Sequence, residues 1–194
     1  FQPDLVWIKN RCSSRSHNVY DSVRGPGKRL QPDLTNIESD VLGVSAFNND
    51  GFTLGAGTDD TNFNLGEYYV AWCWKAGGAS VPNDDGSITT QVSANTTAGF
   101  SIVSGTPTNG ATAGHGLGKT PDFIIYKARN ASQYWRTFHK DLLSTDSLYL
   151  SETNASTADS DRVTAVTSTT FTYGAIVGST PYIAYCWTEI DGYS

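Results

Sequence analysis

Few residues in this sequence have the types and spacing to do chemistry, and each is weighed by what its chemistry requires. Ala113-Gly114-His115-Gly116-Leu117-Gly118-Lys119-Thr120 has the spacing of a phosphate-binding loop. Such a loop aims the first amides of a helix at the phosphates, so it needs a strand before it and a helix after it. Here Pro121-Asp122 and an apolar strand follow, and the glycines predict a tight bend into a sheet. Two acid pairs, Asp59-Asp60 and Asp84-Asp85, invite comparison with a polysaccharide-degrading enzyme, which needs two carboxylates roughly 5–10 Å apart across a cleft. Both stand among Gly, Asn and Thr and read as turns. Asn83-Asp84-Asp85-Gly86 lacks the alternating oxygen ligands and terminal Glu of a calcium loop. His17, His115 and His139 lie in polar or turn contexts, with no Gly-x-Ser-x-Gly elbow in the chain. We therefore assign no catalytic residue, no metal ligand and no cofactor, and expect a protein that is not an enzyme.

Recognition has better candidates. Tyr134, Trp135 and Arg136 follow the polar turn at Asn130–Gln133 and combine aromatic faces with a planar guanidinium, the chemistry that sugars select. Residues 1–30 carry six bases against two acids, whereas residues 31–70 carry seven acids and no base. Arg24, Lys28 and Arg29 form the densest basic stretch and are candidates for contact with an anionic surface glycan. The plainer reading is that the two oppositely charged stretches attract each other within the fold. A net charge of -6 argues against nucleic acid. Three cysteines are too few and odd in number for a disulfide framework. Cys73 and Cys186 fall in apolar runs, and Cys12, in a polar turn, is the more reactive candidate.

The elements that must hold these residues are strands. Apolar content is 38% and charged content 16%, the latter well below the roughly 25% of an average domain. Short runs rich in β-branched and aromatic residues alternate with Gly, Asn, Asp and Ser clusters, and no run keeps a helical period. No apolar run approaches the ~20 residues that span a bilayer, so membrane insertion is not expected. In Tyr69–Trp74, Val70, Trp72 and Trp74 alternate with Tyr69, Ala71 and Cys73, leaving both faces apolar. That pattern predicts a central strand covered on both sides, with Trp7, Trp72, Trp74 and Trp187 in the core.

An internal tandem repeat organises the whole. Pro3-Asp4-Leu5-Val6-Trp7-Ile8-Lys9-Asn10-Arg11 returns 118 residues on as Pro121-Asp122-Phe123-Ile124-Ile125-Tyr126-Lys127-Ala128-Arg129. Gly51-Phe52-Thr53-Leu54-Gly55 is echoed at Thr170-Phe171-Thr172-Tyr173-Gly174, and Tyr69-Val70-Ala71-Trp72-Cys73-Trp74 at Tyr182-Ile183-Ala184-Tyr185-Cys186-Trp187. Order and spacing predict a first unit at 1–78 and a linker with a second unit at 79–194. The second unit has two extra leading strands, Ser87–Val92 and Phe100–Ser104. In the first unit they are either missing or supplied by 87–104 as part of a shared sheet. The chain has no methionine, so Phe1 is not a translational start, and a segment of a longer multi-module chain is expected. The fold expected from these patterns is all-β, an antiparallel β-sandwich or jelly roll.

These blocks, together with His17-Asn18-Val19-Tyr20-Asp21-Ser22-Val23-Arg24-Gly25 and Tyr69–Gly78, resemble tandem modules of virion appendage proteins from marine tailed phages, including cyanophages. The resemblance covers nearly the whole chain. It implies a concanavalin A-like or jelly-roll sandwich in a tail fibre, spike or capsid fibre, located in the virion and so extracellular. Its implied partners are other virion subunits and a host-surface glycan, and it is compatible with a homo-oligomer. An alternative in the same setting is a purely structural or decoration protein that contacts only other virion subunits.

Overall fold

A computed structural model describes residues 1–56, 60–61, 66–175 and 179–192. The first half carries β1 (Leu5–Asn10), β2 (Asn18–Asp21), β3 (Lys28–Arg29), β4 (Ser39–Asp40), β5 (Val44–Asn48), β6 (Gly51–Leu54) and β7 (Tyr69–Trp74). The middle carries β8 (Val81–Asn83), β9 (Thr90–Asn95), β10 (Phe100–Gly105) and β11 (Thr112–Gly114). The second half carries β12 (Phe123–Ala128), β13 (Arg136–His139), β14 (Asp146–Tyr149), β15 (Thr157–Ala158), β16 (Val163–Val166), β17 (Thr170–Tyr173) and β18 (Tyr182–Trp187). Among the described residues there is no helix, and every strand ladder is antiparallel. The protein is an all-β antiparallel sandwich.

Four sheets stack over three apolar cores. An eight-stranded sheet in the order β15-β14-β13-β12-β18-β10-β9-β8 lies centrally, with the three-stranded sheets β2-β1-β7 and β11-β17-β16 on its two sides. Alternation decides what each face buries. Ile124, Tyr126, Ala184 and Cys186 meet Phe171 and Tyr173 in one core. Their strand neighbours Phe123, Ile125, Tyr185 and Trp187 turn the other way, onto Leu5, Trp7, Val19 and Trp74. The back of β2-β1-β7 buries Val6, Ile8 and Tyr20 against Val44, Phe47 and Phe52 of the β5–β6 pair.

The residues that match in sequence take matching places. All four rungs of the β1–β2 ladder have a counterpart 118 residues on in β12–β13, for example Val6↔Tyr20 and Ile124↔Phe138. The six rungs of β1–β7 correspond likewise to β12–β18, from Leu5↔Trp74 and Phe123↔Trp187 to Asn10↔Tyr69 and Ala128↔Tyr182. Even the bulge between Val44 and Ala46 in β5 has its counterpart between Val163 and Ala165 in β16. The surroundings differ, however. β18 is a central strand, whereas β7, expected to be central from its two apolar faces, ends its sheet among the described residues and leaves Trp72 45% exposed and not in the core. The β9–β10 hairpin pairs with β18 and β8, so it extends the second half's sheet and not that of β7. The Gly- and Pro-punctuated stretch expected to be a linker contains β8, which pairs with β9.

A buried polar knot crosses the central core. Tyr185 on β18 donates its hydroxyl to Asp21 at the end of β2 at 2.7 Å, and Arg24 bonds Asp21, Glu38 at 3.1 Å and the backbone oxygen of Val19. Glu38 also takes a two-pronged bond from Arg129, at 2.9 and 2.8 Å. Both halves thus contribute charges to one network out of water. Removing one partner of such a pair strands the other, at a cost of about 3–5 kcal/mol. We expect Arg24→Met to lower the urea unfolding free energy by that order, while Lys28→Met, at the exposed pair with Asp40, changes it by roughly 0–1 kcal/mol.

Candidate functional site

The residues expected to recognise a ligand separate once strand alternation acts on them. Trp135 points into the central core at 1% exposure, where its ring stacks near Tyr185 and its indole N–H donates to the Gln31 carbonyl at 2.8 Å. Tyr134 turns outward, 41% exposed, and stacks on Tyr149 with ring centroids 4.6 Å apart. Arg136 pairs with Tyr149 across the β13–β14 ladder and lies 6.0 Å from that ring's centroid. Its Nε donates to Asp159 at 2.8 Å and its Nη2 to Asp161 at 2.6 Å. Burial opposes the Arg136 charge, but Tyr126, Asp159 and Asp161 outweigh it and hold the guanidinium protonated. Arg136 and Asp159 are buried, so the ion pair braces the Tyr134–Tyr149 stack from within, and the exposed Tyr134 ring is the face left open to the apolar side of a sugar ring.

The basic stretch does not form one patch. Arg24 is inside the polar knot, where burial opposes its charge and Asp21, Tyr185 and Glu38 outweigh that opposition. Lys28 pairs with Asp40 at 2.6 Å, and Arg29 donates to the Ser39 hydroxyl at 3.2 Å across the β3–β4 ladder. The plainer electrostatic reading is the one the structure follows here: bases of residues 1–30 bond acids of residues 31–70.

A second aromatic surface was not separable from the core by sequence pattern. Trp7, His17, Trp72 and Trp74 line an open groove of about 300 Å³ on the face of the β1–β7 pair. Trp7 donates its indole N–H to His17 Nδ1 at 2.9 Å, and its ring meets that of Trp72 edge-on at 6.5 Å. Burial holds the His17 imidazole below its ordinary pKa, against the pull of Asp33. This groove is apolar and carries no charged side chain in its lining, so it suits a polypeptide face better than a sugar.

The remaining candidates are engaged elsewhere. Asp60 pairs with Arg15 at 3.3 Å, Asp84 and Asp85 bond the side chains of Thr89 and Asn83, and Asp59 lies outside the described residues. Gly116 takes a φ of +70° in the bend between β11 and β12, where an added Cβ would meet Val92 and Ala94. No helix follows that bend. The His139 ring accepts the amide of Asp141, and buried His115 accepts that of Leu117. Among the described residues no group of three or more His, Cys, Asp or Glu could hold a metal ion. Cys12 is exposed, and burial raises the thiol pKa of Cys73 and lifts that of Cys186 to about 12.

Lys127 is a charged group in an unusual environment. It is fully buried on β12, and its ammonium donates to the carbonyls of Ala128 at 2.7 Å and Ala131 at 3.0 Å. Its counterpart Lys9 makes the same pair of bonds, to Asn10 and Ser13. Both carbonyls cap the turn leaving the strand, so the role is structural.

A family model described as a domain of unknown function (DUF7483) matches residues 1–194, and the chain belongs to that family. No curated protein and no solved structure matches it.

Burial, helped by Arg136, lowers the Lys127 pKa from 10.5 to about 8. Between those values the unfolded chain binds more protons than the native one, so this group makes stability rise with pH. We expect unfolding free energy, measured in urea from about pH 8 to 10.5, to climb more steeply for the unmodified chain than for Lys127→Met.

Proposed function

We propose that this DUF7483 chain is a non-enzymatic structural module of a phage virion appendage, contributing to attachment at the host surface through a glycan. The resemblance of its ordered sequence blocks to tail-fibre and spike modules supports the virion setting. The observation that carries the glycan reading is the Tyr134–Tyr149 stack with Arg136 clamped beside it by Asp159 and Asp161. Stacking and ion pairing settle the orientations before a ligand arrives, which lowers the cost of ordering them on binding. Arg136 is itself buried and bonded to both carboxylates, so the surface offered to a ligand is the exposed aromatic face of Tyr134.

A second reading, favoured by the apolar groove at Trp72, is a purely structural module whose partners are other virion subunits. The two readings use different surfaces, so one array separates them. We expect the purified chain to bind a subset of bacterial surface polysaccharides on a glycan array and to label intact host cells. Tyr134→Ala should weaken that binding about tenfold, the scale of one lost aromatic contact of about 1.4 kcal/mol, while Trp72→Ser leaves it unchanged. Absence of any glycan or cell binding by the folded chain would remove the attachment role and leave the structural one.

A further inference from the structure

β7 and β18 offer the same outer edge to a neighbour, yet only one of them has it filled. Both hold their inner partner in the same register, and both present Tyr, Ala and Cys at alternate positions: Tyr69, Ala71 and Cys73, against Tyr182, Ala184 and Cys186. On β18 those three residues face β10, at the rungs Gly105↔Tyr182, Val103↔Ala184 and Ser101↔Cys186. Among the described residues the sheet ends at β7, where Ala71 and Cys73 have no ladder partner on that side. The second layer has the same gap. β17 pairs with β16 on one side and β11 on the other, whereas among the described residues β6 pairs with β5 alone. In the second half one continuous segment, residues 87–118, supplies the strands for both edges. The exposed positions follow this division: Ala71, Trp72 and Leu54 are open to solvent, while their counterparts Ala184, Tyr185 and Tyr173 are buried.

The cavities agree with that register. Phe100, opposite Trp187 on the β18 edge, packs on Trp187 at 5.1 Å and on Trp74 at 6.4 Å. A residue placed correspondingly opposite Trp74 would meet the same two indoles from the β7 side. A space of about 360 Å³ lies there, lined among others by Cys73, Trp74 and Trp187. A residue one rung pair further, corresponding to Ile102, would cover Trp72 in the open groove. The other ends of the sheets are defended differently. β8 carries Pro82, which cannot donate to a further strand, and β15 is two residues long. Tyr69–Trp74 contains neither proline nor charge, and nothing in its sequence discourages an added strand.

We propose that β7 and β6 form an acceptor for a partner polypeptide segment patterned like residues 87–118, which adds an antiparallel strand to β7 and a short strand to β6. Its recognition chemistry is main-chain bonding along Ala71 and Cys73, an aromatic side chain against the outer side of the Trp74–Trp187 pair, and a branched apolar one over Trp72. This inference rests on strand register and cavity position and does not depend on the glycan reading.

The test is to prefix the full chain with a second copy of residues 87–118, which restores the spacing that this segment has before β12 and presents it at high effective concentration. Hydrogen exchange followed by mass spectrometry reads the amides of residues 69–74. We expect exchange at Ala71 and Cys73 to slow at least about tenfold, with Trp emission shifting to the blue as Trp72 is covered. A control prefix with Asp at the positions copied from Phe100 and Ile102 should give neither change, and circular dichroism shows whether each chain is folded. Equal protection from both prefixes, or none from either in folded chains, would overturn the proposal. So would protection already present without a prefix and growing with protein concentration, because a second copy would then be the occupant.

Discussion

Everything in this molecule depends on two sheets meeting through corresponding faces. Leu5, Trp7 and Trp74 of one sheet pack against Phe123, Ile125, Tyr185 and Trp187 of the other, and Leu5, Trp7 and Trp74 occupy the ladder positions of Phe123, Ile125 and Trp187. Trp74 and Trp187, themselves counterparts, touch edge to face at 6.1 Å. Self-contact of equivalent residues is the geometry of an isologous interface, here made within one chain. It forces the eight-stranded sheet to be apolar on both faces, because its back carries a further core against β16 and β17. The all-apolar character of β12 and β18 follows from that position, and so does the weaker burial of β7, which has a core on each face but no strand beyond it.

Charge is handled by the same constraint. The central core is crossed by Asp21, Arg24 and Tyr185, with Glu38 and Arg129 at its margin. A buried ion pair brings little net stability over an apolar isostere, but it penalises any packing that leaves one member alone. Here the members come from β2, the following turn, the segment before β4, the end of β12 and β18, so only the observed docking of the two halves satisfies all of them. The knot is best understood as fixing the register of one sheet on the other. Its consequence is that the chain's most basic stretch loses Arg24 to the interior.

Much of the fold was readable from local pattern, because period-two alternation and turn residues act over a few positions. Strand positions at β1, β10, β12 and β18, the all-β class and the order of the blocks all follow from such signals. What was not readable depends on distant partners. Trp135 and Tyr134 are adjacent and equally aromatic, and only the presence of Tyr185 on one side and Tyr149 on the other decides which is buried. Arg24 looked like a surface base because its partner Tyr185 is 161 residues away. Tyr69–Trp74 and Tyr182–Trp187 have nearly the same pattern, so pattern alone assigns both to a central position. The difference lies in what pairs beyond them, and a strand's own residues do not encode its neighbour.

That last point bears on how an edge should be judged. An apolar, uncharged strand at the end of a sheet is a hazard in an isolated domain, since its free side can template pairing with any other chain. The same protein blocks one end of its largest sheet with Pro82 and keeps the strand at the other end to two residues. A sequence that manages two edges and leaves a third attractive, with the residue types that accept a strand on β18, is consistent with that edge being occupied in the assembled state. The groove at Trp72 and the space beside Trp74 and Trp187 would then be one half-built interface, complete only when the incoming segment closes the sheet against the same pair of indoles that joins the two halves.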